Sequence, residues 1–102
     1  MNKFESREGK LFIDGKKVIK GWESFNGWYW FATEIQDEGL VDLGDGDVET
    51  KIYFGFVQGF DSEWGSFCEA ELDEMIAKNK VWEIPQKALE YSGRRDWYER
   101  IF

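Results

Sequence analysis

Lys10-Leu11-Phe12-Ile13-Asp14-Gly15-Lys16-Lys17-Val18-Ile19 is the stretch that decides how this chain folds. Asp14-Gly15 is a dipeptide that a type I′ turn prefers, because both central residues must adopt φ > 0. The short apolar-rich runs on either side of it predict an antiparallel hairpin. Upstream, Met1 to Lys10 is charged and lacks the apolar run of a signal peptide.

Downstream, Gly21 to Ile35 centres on Gly27-Trp28-Tyr29-Trp30-Phe31-Ala32-Thr33-Glu34, and its aromatic enrichment predicts a strand. Alternation places Trp28, Trp30 and Ala32 on one face and Tyr29, Phe31 and Thr33 on the other. Both faces are apolar, so this strand needs cover on both sides or a partner on one. Gln36 to Glu49 is polar and acidic around Gly44-Asp45-Gly46-Asp47 and predicts a loop, which Leu40, Val41 and Leu43 could pin down. Thr50 to Phe60 predicts another strand. Ile52, Phe54, Phe56, Gln58 and Phe60 share one of its faces; Tyr53, Gly55, Val57 and Gly59 share the other. The glycines leave that second face shallow enough for a bulky neighbour, either the Trp28 and Trp30 rings or a helix.

Asp61-Ser62-Glu63-Trp64-Gly65 predicts a turn, and Ser66-Phe67 the entry to a helix from about Glu69 to Asn79. Leu72, Met75 and Ile76, spaced i, i+3, i+4, mark its buried stripe. Glu69, Glu71, Asp73 and Glu74 near its start and Lys78 and Lys80 at its end suit the helix dipole. Val81-Trp82-Glu83-Ile84 predicts a short strand before Pro85, and Gln86 to Phe102 a turn followed by a helix from Asp96. Trp97, Ile101 and Phe102 of that helix are expected to dock on the body. The pattern is that of one α+β domain over residues 1–102: a small antiparallel, aromatic-rich sheet with one main helix packed on it and a short C-terminal helix.

Composition supports a packed chain. Aromatic residues make up 19 % of the 102 and Pro occurs once. Since large rings bury roughly 150–250 Å² each, so short a chain can still assemble a core. No run approaches the roughly 18 apolar residues of a membrane helix. The lone cysteine, Cys68, cannot form an intramolecular disulfide, and the cytoplasm is the expected compartment.

Chemistry is constrained by what the sequence lacks. There is no histidine, which removes the commonest general base, the His-activated nucleophiles and the main zinc ligand. No glycine-rich phosphate loop is present. A Glu34–Glu63 acid/base pair, as in glycosidases, needs a deep cleft that a domain this small hardly builds. Asp42, Asp45, Asp47 and Glu49 could hold a divalent cation, but Thr50 and Phe56 stand where an EF-hand needs its glycine and bidentate glutamate. A flexible acidic loop is the simpler account. Cys68 reads as a small packing residue rather than a reactive thiol. The expectation is a non-enzyme without cofactor or metal.

Trp28 to Leu72 resembles a family of small uncharacterised proteins carried by plasmids, prophages and viruses. Its motifs are a W-x-A-T-E strand, F-G-L/F-V-x-G, and an acidic turn leading to E-x-G-Y-F-S-x-x-E-L. The matching stretches are Trp30-Phe31-Ala32-Thr33-Glu34, Tyr53-Phe54-Gly55-Phe56-Val57-Gln58-Gly59, and Glu63 to Leu72. Cys68 stands where that family usually has Ser, which with the Glu three residues on makes a capping box. Either Ser66 takes over the capping or the helix starts less firmly. The resemblance implies a mobile-element setting, where accessory proteins often interfere with host defence, and no specific activity.

Charge supplies the functional expectation. Twenty-one Asp and Glu against 13 Lys and Arg give a net −8. That balance repels nucleic acid unless a local basic patch is hidden, and it attracts basic protein surfaces; it also simply favours solubility. The leading expectation is a protein-binding domain that occupies the basic groove of a nucleic-acid-processing or defence complex. Asp45, Asp47, Glu49, Asp61, Glu63, Glu71, Asp73 and Glu74 are the candidate contacts. No direct nucleic-acid or membrane contact is expected. A second expectation is a sugar- or base-stacking module on Trp22, Trp28, Trp30 or Trp64, with Arg94, Arg95 and Arg100 as a small basic C-terminus. A third is a homodimer closing the two-sided sheet.

Overall fold

The computed structural model describes residues 4–42, 44 and 46–90. In chain order the elements are β1 (Phe4–Arg7), β2 (Lys10–Ile13), β3 (Lys16–Lys17), β4 (Lys20–Ser24), β5 (Tyr29–Asp42), β6 (Asp47–Gln58), β7 (Ser62–Cys68), α1 (Glu69–Ala77), β8 (Val81–Glu83) and α2 (Gln86–Glu90). Among the described residues the protein is predominantly β, with two antiparallel sheets and one helix longer than five residues. This corrects the expected balance of a single sheet with two helices. The C-terminal helix expected from Asp96 lies outside the described residues.

The deciding hairpin forms as read: β2 and β3 pair with Ile13 opposite Lys16, and Asp14 and Gly15 take φ of 51° and 81°. A second turn of the same kind, Glu8-Gly9 with φ of 53° and 77°, joins β1 to β2 and completes a three-stranded sheet. The larger sheet has the order β7-β6-β5-β4-β8.

Opposite faces of β5 support two separate cores. Tyr29 and Phe31 join Phe56 of β6, Leu11, Ile13 and Val18 of the hairpin region, and Ile84 and Leu89. The three-stranded sheet therefore lies over one face. Trp22, Ala32, Tyr53 and Val81 form the other core with Leu72 of α1, and Met75 and Ile76 pack at its margin. The expected faces hold as far as Ala32, after which Thr33 is skipped in the pairing and Glu34 stands opposite Phe54; the helix stripe holds, and the two-sided strand is covered on both sides. Of the two covers expected for the shallow glycine face, the Trp28 ring lies against Gly59.

Three stretches depart from expectation. Gly21 to Ile35 is not one strand but the end of β4, a turn and the start of β5; Gly27 there has φ of 87°. The expected loop, Gln36 to Glu49, is mostly strand, because β5 and β6 continue pairing out to Asp42 and Asp47. Exposed on both faces, this ribbon has no need of apolar alternation, which is why its sequence reads as loop. Ser62 to Cys68 is not turn and helix entry but strand β7, paired to β6 with Gly65 opposite Gly55. Where a turn was expected after Pro85, α2 forms a single helical turn.

Candidate functional site

Because α1 follows β7 directly, it crosses the large sheet and contacts β6, β7 and β8. Glu69 thereby reaches the middle of the sheet. Lys20 Nζ lies 3.1 Å from Glu69 Oε2 and 3.2 Å from Glu83 Oε1, and 5.3 Å from the centre of the Trp22 ring. The Tyr53 hydroxyl donates to the same Glu69 oxygen.

Burial alone would favour neutral Lys20, but its hydrogen bonds to Glu69 and Glu83 outweigh it and raise the ammonium pKa. Burial and the hydrogen bond to Glu69 together push the Tyr53 phenol well above its ordinary 10.0. Glu69 is disfavoured as an anion by burial, yet the donors Tyr53 and Lys20 more than compensate and lower its pKa. Asp73, one turn further along α1, is raised by burial and then by the nearby Glu69. These shifts hold Lys20, Tyr53 and Glu69 in fixed charge states at neutral pH rather than tuning any of them toward proton exchange. Glu69, Asp73 and Glu83 set three carboxylates around one ammonium, leaving this face negative.

The carboxylates read from sequence are divided by the fold. Glu71, Asp73 and Glu74 are exposed on α1, with Glu71 and Glu74 sharing one flank and Asp73 lying with Glu69 on the other. Asp61 and Glu63 are exposed where β6 turns into β7. Asp47 and Glu49 are exposed at the far end of β6, roughly 36 Å away at strand rise; Asp45 lies outside the described residues. The eight do not make one surface. Glu34 pairs with Phe54 and Glu63 with Val57, three residues apart on β6, so these two carboxylates project from opposite faces and cannot act as a pair. Among the described residues no cluster of three His, Cys, Asp or Glu side chains could hold a metal ion.

The tryptophans differ in role. Trp22 is core. Trp64 stacks on Phe54, donates to Asp14 at 3.3 Å and has Lys16 Nζ 5.0 Å above its ring. Trp28 and Trp30 are half-buried neighbours, and Phe60, 94 % exposed, meets the Trp28 ring edge-on at 5.4 Å. One row across the sheet reads Glu83, Trp22, Trp30, Val57, Glu63 on the α1 side, an aromatic and apolar strip with a carboxylate at each edge.

Sequence reading missed Lys20, Glu83 and Glu69 as a unit. Glu69 is visible only as first-turn helix charge, and nothing local in Lys20 or Glu83 signals a network formed over 49 and 63 residues of separation. The chain matches no family model, no curated protein and no solved structure. No helix among the described residues is long and apolar enough to cross a membrane.

Proposed function

We propose that this chain is a non-enzymatic, acidic protein-binding domain of a mobile genetic element, acting in the host cytoplasm. It occupies the basic surface of a nucleic-acid-processing or defence complex. The observation that carries the reading is α1: Asp73 stands exposed beside Glu69 and Glu83, with Lys20 between the last two, and Glu71 and Glu74 stand exposed on its other flank. Such a face speeds encounter with a basic partner and selects against acidic ones. At the other edge of the same sheet face Glu63 ends the row that runs through Trp30, and Phe60, beside Asp61, meets Trp28, which sets aromatic anchors next to carboxylates, a common anatomy of protein interfaces. The mobile-element setting rests on the three sequence motifs from Trp30 to Leu72.

The test is a pull-down from host lysate at low and high salt, with Glu71→Lys/Glu74→Lys as the control. A stoichiometric complex held at low salt, released at high salt and lost in the variant supports the reading; an empty low-salt pull-down sinks it. Trp28 and Phe60 favour a second reading, an aromatic platform for sugars or bases, which tryptophan quenching by such ligands at unchanged salt would select.

A further inference from the structure

Charge is segregated along this chain. Residues 1–20 carry six Lys and Arg against three Asp and Glu, whereas residues 21–102 carry seven against eighteen. The fold turns that segregation into a direction. The three-stranded sheet covers one face of the large sheet and α1 covers the other, so their outer surfaces point away from each other across the molecule.

On the three-stranded sheet Leu11 and Ile13 point inward, which turns Lys10 and Phe12 outward, and Arg7 and Lys17 pair directly with them. Arg7, Glu8, Lys10, Phe12 and Lys17 line a concavity of about 380 Å³, and the Arg7 guanidinium lies 4.8 Å from the Phe12 ring centre. The opposite outer surface is α1 with Glu71 and Glu74. Glu5, paired with Phe12 and bonded to Arg7 at 2.5 Å, and Glu8 share this surface, so Arg7, Lys10 and Lys17 leave it one charge net positive, with Lys10 and Lys17 its cations beyond the Glu5 pair. A net-positive concave plate thus backs onto an acidic convex helix.

We infer that the chain associates with itself head to tail, the Arg7/Lys10/Lys17 surface of one copy seating the Glu71/Glu74 flank of α1 of the next. The occupant is a second copy because the same chain carries both complementary surfaces. They lie on opposite sides, so each copy keeps one free after pairing. A nucleic-acid strand is the other ligand that a basic plate with an aromatic centre could take. A strand is anionic along its whole length and meets the eleven excess negative charges of residues 21–102 wherever it leaves the plate; a second copy, itself net −8, presents an acidic flank to the plate and also carries a net-positive surface of its own. The contact is heterologous, so it grows with concentration into a ring or an open chain. The inference rests on the reading of the α1 face as a seat for basic surfaces.

The experiment is sedimentation velocity of the full chain across a concentration series at low and high salt. It is run with Lys10→Glu/Lys17→Glu, with Glu71→Lys/Glu74→Lys, and with their equimolar mixture. Wild type should gain mass with concentration at low salt and revert to monomer at high salt. Each double variant should stay monomeric. The mixture should regain association, since the intact acidic flank of one variant meets the intact basic plate of the other and the two reversed surfaces are complementary as well. A wild type that stays monomeric at low salt, a mixture that fails to pair, or a mass that ignores both variants overturns the inference. So does a monomer whose basic plate retards a labelled single strand. The Lys10→Glu/Lys17→Glu variant keeps its acidic face, so its lysate pull-down tests the proposed function separately: partner capture without self-association rejects only the inference made here.

Discussion

Thr50 Oγ1 accepts the backbone N–H of Ala70 at 2.8 Å, so the start of α1 is capped from strand β6 rather than by the residue that precedes the helix. Cys68 occupies the N-cap position with extended backbone, φ −104° and ψ 130°, and its side chain makes no capping bond. Neither sequence alternative holds: Ser66 turns instead to Gln36 Oε1 at 2.5 Å, and the helix is not left uncapped.

Thr50→Val is therefore expected to cost about 0.5–2 kcal/mol, the usual range for losing a cap, in urea unfolding. Cys68→Ser places a hydroxyl at the N-cap and should recover a measurable part of that loss in the Thr50→Val background. Equal stability of wild type and Thr50→Val would show that this bond does not hold the helix end.

The two shallow-face glycines should respond differently to alanine. A Cβ on Gly55 runs into the Phe31 carbonyl and the Ala32 backbone of the paired strand, atoms that cannot move without breaking the sheet. Gly55→Ala should cost roughly 3 kcal/mol or more or fail to fold, at or above the upper end for overpacking. At Gly59 the obstacle is the Trp28 ring, a side chain that can turn away. Gly59→Ala should leave most of the stability intact and shift tryptophan emission to the red; the reverse ranking would contradict the packing described.

The Lys20–Glu69–Tyr53 network links stability to pH at both extremes. Folded Glu69 holds its charge below the ordinary 4.5, so the unfolded chain takes up a proton first and stability declines as pH falls below about 4.5. Folded Lys20 and Tyr53 keep their protons above 10.5 and 10.0, so stability is intact below about pH 10 and declines above it. Lys20→Met should lower stability at neutral pH by about 1 kcal/mol, a modest figure because Lys20 and its partners remain partly exposed. It should also flatten the alkaline decline. Asp73 has the opposite sign, its raised pKa making the ionised form a burden, so Asp73→Asn should stabilise slightly at pH 7 and not below about 3.8. Unfolding midpoints from pH 3 to 11 test all of these.

Gln58 is fully buried, and among the described residues neither of its amide atoms has a hydrogen-bond partner. It lies opposite Tyr29 on the face of the first core. Gln58→Met should stabilise the chain by about 1 kcal/mol, since an unpaired buried amide costs roughly 1–3 kcal/mol. A loss of stability instead would mean that the amide is satisfied in solution.

Local chemistry was the legible part. Asp14-Gly15 announces its hairpin, Leu72, Met75 and Ile76 announce the helix, and the alternation of Tyr29, Phe31 and Phe56 against Ala32 and Tyr53 announces two cores. Glu8-Gly9 and Asn26-Gly27 carry comparable turn signals, and reading them alike would have found β1 and the break between β4 and β5. The exposed ribbon is hidden for another reason: a strand held by pairing alone leaves no apolar period to read. In β7 only Trp64 and Phe67, one packed on each core, stand out among Ser, Glu and Gly that read as a turn. At the site, exposure of the carboxylates was legible, but their grouping was not, because the distance between Asp47 and Asp61 and the meeting of Lys20 with Glu69 are set by topology.

Strand β5 spends fourteen residues where β6 spends twelve, because Thr33 and Gln36 are skipped in the pairing. In an ordinary strand the loss of one residue turns every later side chain to the wrong side. Here each skipped residue is surplus to the alternation, so removing Thr33 or Gln36 leaves Ile35 opposite Tyr53 and Leu40 opposite Glu49. Such a deletion would straighten the ribbon, since bulges supply bend and twist, without turning any of its side chains over. Strand β5 can thus lose a residue while the paired arm keeps both its length and its faces.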